Sequence, residues 1–222
     1  MCRNQLLLAA LAALSLGACK NDGDAAPPKP VDDTPRKLAG VYPEKFQCDS
    51  VATPDAVGAV LGGTARQIDN PASVPRGVPH PCVYEVTATA LEYWTYDFDC
   101  RDGMKARADA LFAQYKQTSA DIVEQYNAAA DAGPKPPDPN AKKLEHDAGI
   151  DAPQRAPEAA AEVAVGAKGL DHHGQGLIFI DDDAPCYVRV VGPDGVRRLE
   201  LAKLIAKNLT FANAPMTPRP FK

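Results

Sequence analysis

The chain has 222 residues, 45% of them hydrophobic, with 21 prolines, one tryptophan and a 6% aromatic share. Removing residues 1–18 as a leader leaves 204, a length that suggests one domain or two very small ones. The net charge is −5 with no basic patch, which argues against a DNA or RNA partner.

Residues 1–18 begin Met-Cys-Arg-Asn-Gln and continue from Leu6 to Ala18 almost without a polar break. One positive charge before an apolar run of about 13 residues fits a secretory leader and is too short for a permanent membrane span. The run ends Leu16-Gly17-Ala18-Cys19. This resembles the lipobox of bacterial lipoprotein precursors, which implies cleavage before Cys19 and lipidation of its thiol, the small residues at 17 and 18 admitting the chain to a peptidase site. A multiply acylated cysteine would be a stable anchor, where one chain would not. Lys20 resembles the residue that sorts Gram-negative lipoproteins to the outer membrane. The implied address is the cell envelope, on the outer membrane facing the periplasm if the cell is Gram-negative.

Residues 19–45 are polar and proline-rich and predict a disordered linker carrying the lipidated Cys19. A second such stretch, 128–161, includes Gly133-Pro134-Lys135-Pro136-Pro137 and predicts a disordered loop. Residues 212–222 read as a disordered tail. What remains, 46–211, is expected to be a single α+β domain interrupted by that loop.

Within it, Thr53-Pro54-Asp55 is a helix start, with a capping hydroxyl, proline at the first helical position and a carboxylate near the positive dipole end. Val57, Val60 and Leu61 follow, and Gly62-Gly63 stops the helix. Cys82–Thr87 and Leu91–Cys100 alternate and predict two half-buried antiparallel strands; Trp94, Tyr96, Phe98 and Cys100 share one face, Tyr93, Thr95, Asp97 and Asp99 the other. From Met104, apolar positions 108, 111, 112, 115, 122, 123 and 126 keep a helical period. Leu177–Ile180 and Cys186–Val191 read as another hairpin, turning at Asp181–Pro185. A last helix after Pro193-Asp194-Gly195 carries Leu201, Leu204, Ile205 and Leu209 on one face. Asp102-Gly103 matching Asp194-Gly195 suggests a weak internal repeat. The expected architecture is an antiparallel sheet of two weakly repeated ββα halves, with helices packed on one face.

The order Cys48, a short helix ending Val60-Leu61-Gly62, then Pro81-Cys82-Val83-Tyr84, and later the turn Val165–Gly169, resembles a family of uncharacterised actinobacterial cell-envelope lipoproteins, related to extracellular sensor domains of membrane kinases. The chain differs from that pattern in Cys100, Cys186 and the long insertion. The resemblance implies the fold and a Cys48–Cys82 bridge.

Cysteine arithmetic agrees with the address. Cys2 leaves with the leader and Cys19 takes the lipid, so Cys48, Cys82, Cys100 and Cys186 remain as an even set with three pairings. Cys100 ends one inward-facing strand and Cys186 begins another, which antiparallel neighbours would bring together. The expected bridges are therefore 48–82 and 100–186.

No G-x-S-x-G, H-E-x-x-H, P-loop or C-x-x-C occurs, so the usual hydrolase, zinc-protease, nucleotide and thiol-redox signals are missing. Asp97-x-Asp99 before Asp102-Gly103 approaches a calcium loop but places glycine one position late and Ala108 where the bidentate glutamate belongs. His172, His173 and Asp181 are weak candidate metal ligands: imidazole and carboxylate suit transition metals, but adjacent strand histidines point to opposite faces. The outward sheet positions Tyr93, Thr95, Tyr187 and Arg189 form a candidate partner-binding face, since tyrosine and arginine are enriched in binding hot spots. The expected function is a lipid-anchored extracytoplasmic binding or interaction domain without enzymatic activity or cofactor. Its expected partners are the membrane, through Cys19, and an envelope protein or peptide. The alternative is a metal- or small-molecule-binding sensor lipoprotein.

Overall fold

Thr53 caps the first helix as its sequence requires: its Oγ1 accepts the Ala56 N–H at 3.3 Å, and α1 runs Pro54–Leu61. Gly62 ends it in the left-handed conformation (φ 73°), which costs glycine little. In the computed structural model the described residues are 38–70, 73–131, 157–172 and 175–220. The leader, Cys19 and most of the linker lie outside them, as do 132–156.

The strands are β1 (Leu38–Ala39), β2 (Thr64–Ile68), β3 (Cys82–Thr87), β4 (Leu91–Asp99), β5 (Ala161–Val163), β6 (Lys168–His172), β7 (Gly176–Ile180), β8 (Tyr187–Val191) and β9 (Arg219–Pro220); the other helices are α2 (Met104–Asp131) and α3 (Gly195–Asn208). Seven strands form one antiparallel sheet in the order β2-β3-β4-β8-β7-β6-β5. The α+β class and both expected hairpins are present. Their strands β4 and β8 meet in mid-sheet, with Thr95 opposite Val191 and Asp99 opposite Tyr187.

One face of this sheet carries Tyr84, Val86, Trp94, Tyr96, Phe98, Leu177, Phe179, Val188 and Val190, all buried against Val57 and Leu61 of α1 and Leu201, Ala202 and Ile205 of α3. Tyr84 and Tyr96 stack there with their hydroxyls 3.1 Å apart. The Tyr84 hydroxyl donates to the Ala52 carbonyl at 2.9 Å, and that of Tyr96 to the Cys48 carbonyl at 3.3 Å. Burial pushes the Tyr84 phenol up to about 12 and Tyr96 further still.

Helix α2 is on the other face. Its Ala108, Phe112 and Tyr115 cover Leu170, Ile178, Ile180 and Tyr187. The expectation of helices on one face is therefore corrected, and the reason is visible in β7. Gly-Leu-Ile-Phe-Ile is buried at every position, so this half of the sheet needs cover on both sides. The repeat likewise ends at the helices: α2 and α3 leave equivalent hairpins for opposite faces. Gly103 has φ 82°, whereas Asp194 caps α3 by accepting the Arg197 N–H at 2.8 Å. Beyond Ser119 the α2 stripe runs past its cover, leaving Ile122 and Tyr126 exposed.

The fold also extends past its expected ends. Residues 38–45, assigned to the linker, hold β1 and a 3-10 turn at Pro43–Lys45. The segment 212–220, expected as a tail, pairs β9 with β1 and buries Ala214 and Met216. Gly40 (φ 88°) lets the two segments close, since a Cβ there would lie 2.4 Å from Met216 Cγ. Helix α2 continues to Asp131, so residues 128–131 of the loop expected at 128–161 are helical, and β5 begins at Ala161.

Both expected disulfides are present, Cys48–Cys82 and Cys100–Cys186, with Cα separations of 5.7 and 4.1 Å. The second continues the β4–β8 register by one position. At the other end of that register Gly192 faces Trp94, and a methyl group at 192 would stand 2.1 Å from the indole ring. Gly192→Ala is expected to cost about 2 kcal/mol through overpacking, read as a lower urea midpoint with unchanged slope; a midpoint within error of the parent would show that the indole has room to move.

Candidate functional site

Strand alternation sends Tyr93, Thr95, Asp97 and Asp99 of β4, and Tyr187 and Arg189 of β8, to the face that α2 only partly covers. The candidate partner-binding residues divide accordingly. Tyr93 and Thr95 lie on the uncovered part, where Tyr93 is 56% exposed beside exposed Leu91 and Val191. Opposite Tyr93 stands Glu85, ion-paired with Arg66 of β2. Tyr187 and Arg189 instead line a groove of about 320 Å³ between β4, β8, the first half of α2 and the loop at Pro75 and Val78.

Arg189 donates from Nε and Nη2 to one oxygen of Asp97, Oδ2, at 2.9 and 2.8 Å. Arg101 grips both oxygens of Asp99, at 2.9 and 2.6 Å. Two carboxylates two residues apart are thereby driven in opposite directions. Burial raises Asp97, and Arg189 only partly offsets it. At Asp99 burial also works upward, but the hydrogen bonds from Arg101 outweigh it and hold that carboxyl low. Burial and the neighbouring Tyr115 hydroxyl raise the Tyr187 phenol. The groove thus presents carboxylate acceptors, guanidinium donors and two tyrosine hydroxyls, with Met104 and Leu111 as apolar wall.

Arg107 and Tyr115 were not anticipated here, because α2 was expected on the opposite face; Arg101, in the segment between β4 and α2, was not anticipated either. The unbroken apolar run Leu177-Ile178-Phe179-Ile180 was the available signal for a second cover.

The two described metal candidates, His172 and Asp181, do not come together. His173 lies outside the described residues. His172 ends β6 and faces Tyr115 of α2, ring centroids 5.7 Å apart, while Asp181 follows β7 at the far end of the same hairpin. Five strand positions, roughly 17 Å, separate their rows. Asp171 faces the other side and binds Arg198 of α3 at 3.1 Å. Among the described residues no group of three or more His, Cys, Asp or Glu is placed to hold a metal ion.

Asp181 has a local role. Its Oδ2 accepts the N–H groups of Asp183 and Ala184 at 3.1 and 2.7 Å, shaping the β7–β8 turn. Its Oδ1 is buried without a hydrogen-bond partner among the described residues. Comparison with family models, with curated proteins and with solved structures finds no match to this chain.

Burial raises the Asp181 carboxyl from an ordinary value of about 4 to about 6. The folded state therefore binds this proton more tightly than the unfolded chain. Its contribution to stability is fully present below pH about 4 and is lost as pH rises to about 6. The stability of the parent relative to Asp181→Asn is expected to decline across that window and level off above it. A flat difference in urea titrations from pH 4 to 7 would remove Asp181 as the cause.

Proposed function

We propose that the protein is a lipid-anchored extracytoplasmic binding domain, held to the envelope by acylated Cys19, that engages an envelope protein or peptide through the outer face of its sheet without enzymatic activity. The observation that carries this reading is the uncovered half of that face. Exposed Tyr93, Leu91 and Val191 adjoin the Asp97–Arg189 groove on interior strands of a sheet with two disulfides. Tyrosine and arginine on a rigid support are the residues from which binding hot spots are built, because little side-chain freedom is lost on contact.

The Leu16–Cys19 sequence supports the anchor, and Lys20 supports the outer membrane, facing the periplasm, if the cell is Gram-negative. Four paired cysteines suit an oxidising compartment and leave the Cys19 thiol for the lipid. The linker would then set the domain at a distance from the bilayer. The metal-sensor alternative is weakened by the separation of His172 from Asp181 along the hairpin.

Two measurements test the reading. Intact mass of membrane-extracted protein is expected to show loss of 1–18, acyl chains on Cys19, and a gain of four hydrogens on reduction; an unacylated soluble chain removes the anchor. A photo-crosslinking side chain at position 93, introduced in living cells, is expected to give a discrete adduct. The same group at position 196, 73% exposed at the start of α3, is expected to give none. Equal labelling from both positions, or none from 93, removes the outer face as the binding surface.

A further inference from the structure

Helix α2 turns one stripe of side chains into the groove beside the open face. Met104, Arg107, Leu111 and Tyr115 fall at helical spacing, so they line the same wall. Across from them stand Asp97 and Asp99 of β4 and Arg189 of β8, with Arg101 from the segment that follows β4. Asp97 is bound by Arg189, and Asp99 by Arg101. The Arg107 guanidinium has no ion-pair partner among the described residues. It lies near enough to Asp99 to help hold that carboxyl low, but Arg101 already grips both of its oxygens. Three guanidinium groups therefore face two carboxylates. The groove carries one surplus positive charge in a chain whose net charge is −5.

That surplus selects the charge of a ligand. A singly charged anion can bind Arg107 without displacing either existing pair, so no charge-assisted hydrogen bond breaks on its entry. A doubly charged group would leave the groove negative beside two carboxylates, and a cation would meet the surplus itself. The donor selects the form of the anion, because a guanidinium is a planar fork that matches the two oxygens of a carboxylate. The remaining wall is apolar: Pro75, Val78, Met104 and Leu111 border the same concavity. Its volume of about 320 Å³ lies at the lower end of the range for small-molecule sites. Strands β4 and β8 are interior, flanked by β3 and β7, so a peptide finds no strand edge here and would enter only by its end.

We propose that the groove between β4, β8 and α2 binds the carboxylate of a singly charged organic acid, held by the fork of Arg107, with an apolar group packed on Val78, Met104 and Leu111. The carboxylate belongs to a free acid or to the C-terminal residue of a peptide, and the same chemistry recognises both. This rests on the reading of the outer face as a binding surface and names what its recessed part takes.

The test uses the full-length protein as isolated, in detergent micelles, titrated calorimetrically with the heat of titration into empty micelles subtracted. Two temperatures are used, so that a vanishing enthalpy at one does not conceal binding. The titrants are 3-phenylpropionate, N-acetylphenylalanine, the neutral amide of N-acetylphenylalanine, acetyl-Gly-Gly-Phe and phenyl phosphate. At least one of the three carboxylates is expected to bind with a millimolar or tighter Kd, and the amide at least tenfold more weakly. Arg107→Gln, at an exposed position, is expected to weaken carboxylate binding tenfold or more. Arg107→Lys, which keeps the charge and loses the fork, is expected to restore part of it. Lys207→Gln removes the same charge from the last turn of α3, on the opposite side of the sheet, and is expected to change nothing. Tighter binding of the peptide than of 3-phenylpropionate assigns the carboxylate to a chain terminus, and the reverse order to a free acid. The proposal is overturned by equal binding of N-acetylphenylalanine and its amide, or by phenyl phosphate binding more tightly than every carboxylate. Parent-like binding by Arg107→Gln, or no heat from any titrant, overturns it equally. In each case the position-93 cross-link, read separately, decides whether the outer face still binds a partner.

Discussion

Everything in this fold hangs on the pairing of β4 with β8. These two strands join a three-stranded block, β2-β3-β4, to a four-stranded one, β8-β7-β6-β5, and the register from Thr95–Val191 to Asp99–Tyr187 is the seam. A one-residue slip would turn Trp94, Tyr96 and Phe98 out of the core and bring Asp97 and Asp99 in. The seam is closed at one end by Cys100–Cys186 and fitted at the other by Gly192 beneath Trp94. Helix α3 straddles it: Arg197 binds both oxygens of Glu92 on one block, and Arg198 holds Asp171 on the other. The Arg197 guanidinium also lies 5.3 Å from the centre of the Trp94 ring, whose Nε1 donates to the same glutamate. The residues that bury the core are thus fixed by polar contacts at its rim.

The parts of this arrangement that were legible in the sequence are those with a single buried face. Cys82–Thr87 and Leu91–Asp99 alternate cleanly, and their inward residues are the ones buried. The Cys100–Cys186 pairing followed from that alternation, whereas Cys48–Cys82 was expected from the family resemblance. Strand β2 was not legible because Thr-Ala-Arg-Gln-Ile lies at a sheet edge with three of its five residues exposed, and no apolar period marks it. Strand β6 hid behind Gly169, which reads as a loop residue. Its hydrogen atom is needed instead because a Cβ would meet Val165 Cγ1 at 2.6 Å. Missing β6 made β7 look like an outer strand with one face to cover, and α2 was misplaced in consequence.

The candidate site was half legible for the same reason. The outward set Tyr93, Thr95, Tyr187 and Arg189 follows from strand period alone, and each residue is on the expected face. What turns part of that face into a groove is α2, which the period of β4 and β8 cannot reveal. Asp97 and Asp99 stood in the sequence as a failed calcium loop. Their meaning changes once each has its own arginine, one from the neighbouring strand and one from the segment that follows.

The position of the seam also sets the order in which the molecule can assemble. The β2-β3-β4 block and the Cys48–Cys82 bridge use contacts within a short length of chain, whereas β4 and β8 are nearly ninety residues apart at their closest pair. Loop closure over that distance carries a larger entropic cost, so long-range pairing of this kind comes late in folding. Until β8 arrives, β4 is an open edge with Trp94, Tyr96 and Phe98 uncovered along it, the exposure that invites pairing with another chain. Cys100 meets its partner Cys186 only when β8 arrives. The hazardous period in the life of this protein is therefore its assembly, and its second disulfide records that the period has ended.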